Sequence, residues 1–169
     1  MTDPMIFAAW AAGLGWASWT DSRTGRIPNV VTFGMMLTGV VIHSAYGESG
    51  FALLGVLAAF AIHYPLWMLG VERPGDAKLV MGVGALVGWV EVLDTTLWLA
   101  VLYLPVGLGV LAARGRLRNL ARVLQWRIDK AKGLAVGDPP EPTVLWTAPV
   151  IAAAAVAAWW FDVMPIVDP

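Results

Sequence analysis

The chain is 169 residues long, 59% apolar and only 14% charged, with a mean hydropathy of +0.70. That composition excludes an ordinary soluble domain and points to the bilayer as solvent. The absence of cysteine excludes disulfides, thiolate zinc sites, iron–sulfur ligation and cysteine nucleophiles, and a net charge of −1 hides a strong asymmetry along the chain.

Apolar runs fall at 5–20, 30–46, 50–71, 77–91, 95–113 and 143–161. They predict an all-α polytopic membrane protein of about six spans, forming a single domain over 1–169. The opening Met-Thr-Asp-Pro lacks the basic region of a secretory signal, so the first run is expected to be retained as a helix. Several runs are shorter than the roughly 20 residues that cross a bilayer core, so either their polar ends are expected to dip into the membrane or their helices to extend into the flanking loops.

Orientation follows from the basic residues, because cytosolic loops collect Lys and Arg. One set of alternate loops holds Arg23 and Arg26, then Arg73 and Lys78, then Arg114, Arg116, Arg118, Arg122, Arg127, Lys130 and Lys132. The other side holds only acids: Asp3, Glu48, Glu91, Asp94, Asp162 and Asp168. The basic loops are therefore placed in the cytosol and both termini outside. The stretch 114–142 begins with Leu117, Leu120, Leu124, Ile128 and Ala131 near helical spacing. It is expected to lie on the inner surface as a basic amphipathic segment attracted to anionic lipid rather than to nucleic acid. Gly-Asp-Pro-Pro-Glu-Pro at 137–142 then breaks it as a Pro-rich linker.

Asp21 follows the first run in Trp19-Thr20-Asp21-Ser22-Arg23, and Asp76 opens the fourth in Pro74-Gly75-Asp76-Ala77-Lys78. The first helix runs inward and the fourth outward, so both carboxylates lie at inner helix ends and can meet. Acids at membrane depth are functional candidates, and two of them a few ångströms apart share a proton. One can then take a proton from water while the other, protonated, polarises a peptide carbonyl. The alternative is structural: acids at helix ends also act as caps or pair with neighbours such as Arg23, Arg26, Arg73 and Lys78.

Among the other residues, His43 and His63 read as hydrogen-bonding groups of the bundle interior, since a metal would need a third ligand. Trp16, Trp19, Trp67, Trp89, Trp159 and Trp160 suit interfacial anchoring, Gly84 and Gly88 form a small-xxx-small pair, and Pro105 is expected to kink the fifth span.

Asp21-Ser22-Arg23-Thr24-Gly25-Arg26-Ile27-Pro28-Asn29 closely resembles the Asp-x-Arg-x-x-x-Ile-Pro-Asn segment of small type IV prepilin peptidases, the kind encoded with tight-adherence pilus systems. Gly75-Asp76-Ala77-Lys78-Leu79, followed by Gly82, Gly84 and Gly88, is similar to that family's Gly-x-Gly-Asp-x-Lys-Leu motif and the glycine-rich helix after it. The resemblance covers about residues 10–112. It implies an aspartic endopeptidase of the bacterial cytoplasmic membrane that removes the basic leader of prepilins or pseudopilins on the cytosolic side. Asp21 and Asp76 match the catalytic pair, and no metal or organic cofactor is implied. Large members add a cysteine-based zinc domain linked to N-methylation; without cysteine, cleavage without methylation is expected.

Around the pair, Arg23, Pro28, Asn29, Glu72, Arg73, Gly75 and Lys78 are the candidate substrate-binding or supporting residues. Pro28 is expected to open the second span with Asn29 as a cap. Gly75 leaves backbone bare for a substrate strand or makes a tight turn, and Lys78 serves the site or a lipid phosphate. Arg73 stands where the family pattern has Gly. It is expected either to obstruct the substrate path or to clamp Asp76, unless Glu72 holds it away. An obstructed site would make the chain an inactive scaffold or assembly protein of a pilus or secretion system.

Overall fold

The computed structural model describes residues 3–69, 71–113, 115, 117–138 and 146–161. Among them the chain is all-helical, with α1 Pro4–Thr24, α2 Asn29–Ala45, α3 Ser49–Met68, α4 Pro74–Val87, α5 Trp89–Ala113, α6 Leu117–Ala131 and α7 Ala148–Trp160. Arg114, Arg116, most of the Pro-rich linker with Glu141, and Asp162 and Asp168 lie outside the described residues.

The all-α class expected from the apolar runs is found, but among the described residues only α3 and α5 are long and apolar enough to cross a membrane. The helices α2, α4 and α7 have 17, 14 and 13 residues; at 1.5 Å per residue the shortest two rise only about 20 Å. Boundaries differ from the apolar runs for physical reasons. α1 extends four residues past its run, through Asp21-Ser22-Arg23-Thr24, and ends where Gly25 takes a left-handed conformation (φ 66°) and donates its N–H to the Asp21 carbonyl at 2.8 Å. The fourth run breaks at Gly88, whose φ of 90° suits glycine, so Trp89, Glu91 and Asp94 belong to α5. Gly88 therefore closes α4 instead of pairing with Gly84 on one helix face, and the Phe51 side chain lies where a Cβ on it would be.

The chain divides into two compact units, Met1–Leu102 with Trp146–Pro169, and Tyr103–Leu145. The second contains α6, where the Trp126 indole N–H donates to the Gly137 carbonyl at 2.8 Å. In the first, α4 packs against α2 and α3, and also touches α1 and α7. Many of its buried residues are small, among them Ala17, Ala52, Ala59, Ala85, Ala154 and Ala155, packed with larger ones such as Leu79, Leu86 and Ile151, while Leu37, Val41, Leu53, Leu54 and Leu57 point outward. Small inside and large apolar outside is the pattern of helices that pack closely and face lipid.

The start of α1 is tied to the end of α2. Asp3 caps α1 by accepting the Met5 N–H at 2.7 Å and also accepts the Tyr46 hydroxyl at 2.7 Å. The Tyr46 bond, then the Met5 bond, holds the Asp3 carboxyl below its usual range. Phe7 and Trp10 pack on Trp159 with ring centroids 5.9 Å apart. The beginning of α1 thus meets the end of α7, so the end of α1, with Asp21, meets the beginning of α7.

Candidate active site

Asp21 occupies the last turn of α1 and is 1% exposed; Asp76 is the third residue of α4 and is 4% exposed. Each carboxylate lies against the N-terminus of a helix. Asp21 Oδ2 accepts the N–H of Ala148, the first residue of α7, at 3.0 Å. Asp76 Oδ2 reaches back to the Arg73 N–H at 3.2 Å, the side-chain half of a capping arrangement, with Pro74 in the first helical position. The positive end of a helix dipole and its spare N–H groups compensate part of the cost of burying each carboxyl. Asp21 Oδ1 makes no hydrogen bond.

Both aspartates line one pocket of about 340 Å³ with Gly25, Arg26, Ile27, Asn29, Arg73, Pro74, Gly75 and Lys78. Its walls come from the end of α1, the loop into α2 and the start of α4. Gly75 lies within the first turn of α4, where an added Cβ would sit 3.4 Å from the Ile27 Cβ. Lys78 Nζ donates to Asn29 Oδ1 at 3.1 Å and lies 5.4 Å from the Phe33 ring centroid. Asn29 is therefore the first helical residue of α2 and braces Lys78; the capping position belongs to Pro28, which makes no side-chain bond.

Arg73 does not clamp Asp76 through its guanidinium. Nη1 donates to the Gly25 carbonyl at 2.8 Å and lies 3.8 Å from Asp21 Oδ1, and Nη2 is 3.5 Å from the Thr147 hydroxyl. The side chain runs along the wall, and the pocket remains open with Arg73 in place. Glu72 does not hold Arg73 off. Its carboxylate accepts from His63 Nδ1 at 2.8 Å, while His63 Nε2 lies 3.0 Å from the Thr96 hydroxyl. Arg23 stacks over Trp19, 5.0 Å from the ring centroid, so Arg26 stands in its place among the wall residues. His43 meets the Leu86 carbonyl at 3.1 Å, away from His63.

The chain's similarity to known proteins agrees with this geometry: a model of the type IV leader peptidase family matches residues 6–108. The chain belongs to the type IV leader peptidase family. No curated protein and no solved structure matches it. The leader-peptidase match includes Asp21, Asp76 and the whole pocket wall, and stops short of α6 and α7. Yet α7 supplies the Ala148 N–H to Asp21 and the Thr147 hydroxyl to Arg73. Those contacts carry no sequence signature, because one is a backbone group at an unremarkable alanine.

The His63–Glu72 bond fixes the connection between α3 and α4 that leads into this pocket. His63→Leu, which leaves the largely buried Glu72 carboxylate without its donor, is expected to cost about 1–3 kcal/mol. The measurement is the melting temperature of the detergent-purified protein.

Proposed function

We propose that the chain is a membrane-embedded aspartic endopeptidase that removes the basic leader of type IV prepilins or pseudopilins at the cytosolic membrane face. The observation that carries this reading is the meeting of two buried carboxylates, from separate helices, in one open pocket of a leader-peptidase family member. With one proton shared between Asp21 and Asp76, the ionised carboxylate takes a proton from water. The resulting hydroxyl attacks the scissile carbonyl, whose oxygen is hydrogen-bonded by the protonated partner. Collapse of the tetrahedral intermediate breaks the C–N bond as a proton passes to the leaving amine, and the pair returns to its starting state.

In this reading the six apolar helices cross the membrane with both termini outside, and Arg26, Arg73 and Lys78 sit with the aspartates at the cytosolic end. The leader would be drawn from solution while the substrate's apolar helix stays in lipid. No cofactor takes part. Against the scaffold alternative stands the pocket itself, which Arg73 borders without filling.

The test is purified protein in liposomes with a prepilin carrying a basic leader, a Gly and a long apolar helix, analysed by mass spectrometry. The expected product has lost the leader and gains no methyl group when S-adenosylmethionine is added. If prepilins of this design stay intact while an active family member cleaves its own substrate in parallel, the peptidase reading fails.

A further inference from the structure

We infer that Arg73 is a positioning residue that holds Asp21 for catalysis, in place of the small residue that the family pattern carries there. The inference rests on the peptidase reading above and deepens it. Asp21 Oδ2 is fixed by the Ala148 N–H at 3.0 Å, whereas Oδ1 is buried without a hydrogen bond. The Arg73 guanidinium lies 3.8 Å from Oδ1, too far for a hydrogen bond but close enough to attract the carboxyl oxygen into that orientation. Oδ1 thus keeps its lone pairs uncommitted to any protein donor while its direction is set.

Arg73 suits this role because its planar group reaches several acceptors in a fixed fork. One nitrogen holds the Gly25 carbonyl, at the left-handed residue that ends α1, four positions after Asp21. The other approaches the Thr147 hydroxyl at the cap of α7, next to the residue that bonds Asp21. Its backbone N–H meanwhile binds Asp76. One residue therefore links the end of α1, the start of α4 and the start of α7, the three helix ends that carry or support the aspartates. A Gly at this position would keep the backbone bond to Asp76 and lose all the others.

The experiment compares wild type, Arg73→Gly and Arg73→Lys in liposomes, with equal melting behaviour checked first. Arg73→Gly is expected to lower kcat about 10- to 100-fold while KM changes less than about threefold, because misplacing a reacting group affects turnover more than binding. Millimolar guanidinium should restore part of the Arg73→Gly activity, and Arg73→Lys should recover less than guanidinium does, since an ammonium cannot serve the same fork. A second readout does not depend on cleavage: modification of Asp21 by a hydrophobic carbodiimide, located by mass spectrometry, should be at least about threefold faster in Arg73→Gly. If wild type cleaves no prepilin, the peptidase reading fails and the labelling alone judges the contact with Asp21. Turnover that is unchanged or faster in Arg73→Gly, a loss that guanidinium does not relieve, or unchanged labelling overturns the assignment.

Discussion

Asp21→Asn and Asp76→Asn, each made alone, are expected to lower leader removal by at least about 1000-fold. Asparagine keeps the size of the side chain and an oxygen that can accept the Ala148 or Arg73 N–H, so the packing of α1, α4 and α7 is retained. What it removes is the group that gives or takes a proton. In the proposed mechanism the two carboxylates work as one unit, so the double variant should be scarcely slower than either single one. Removing an ionisable group from a site only 1% or 4% exposed also removes a desolvation cost, so neither variant should melt below wild type. Asp129→Asn is the control, since Asp129 lies on α6 and accepts from Gln125 at 2.9 Å. The measurement is the mature-to-precursor ratio of a co-expressed prepilin, with membrane abundance checked by immunoblot. Substantial cleavage by either single aspartate variant would sink the dyad.

Much of this site can be read from the sequence, for identifiable reasons. Gly25 and Pro28 follow Asp21, Pro74 and Gly75 precede Asp76, and the basic loops place both residues at one end of the helices. That reasoning brings them together without any knowledge of packing. It fails where local proximity competes with tertiary contacts. Arg73 lies three residues from Asp76, so a charge argument along the chain pairs their side chains; instead the N-cap backbone binds Asp76 while the guanidinium turns to Gly25 and Asp21. Glu72 lies beside Arg73 in sequence but binds His63, nine positions away on α3. The start of α5 is obscured by Glu91 and Asp94, which break the apolar run although they are helical, and the true boundary is a glycine with positive φ. The brace from α7 has no signal at all, because a backbone N–H leaves none.

A second large effect is expected at Gly84, far from any titrating group. α4 and α3 approach so closely that a Cβ on Gly84 would overlap the Gly55 backbone, and one on Gly55 would overlap that of Gly84; Gly39 on α2 meets the Ala85 backbone in the same way. α4 is thus held from two sides by backbone-to-backbone contact, which small residues alone permit. A flexible side chain could yield to an added group, but here a whole helix must move. Gly84→Val is therefore expected to cost at least about 3 kcal/mol, the upper part of the usual range for overpacking. The displacement would also reach the site, because Asp76 lies about 12 Å along the same rigid helix, at 1.5 Å per residue. Leader removal should fall with stability, whereas the aspartate variants lose activity alone. Gly34 on α2 provides the contrast: a Cβ there meets nothing within 4 Å, and Gly34→Ala should be neutral or slightly stabilising through helix propensity. Thermal unfolding of both variants in the same detergent checks the difference. Equal melting temperatures would mean that α3 and α4 are not held by the contact that positions Asp76.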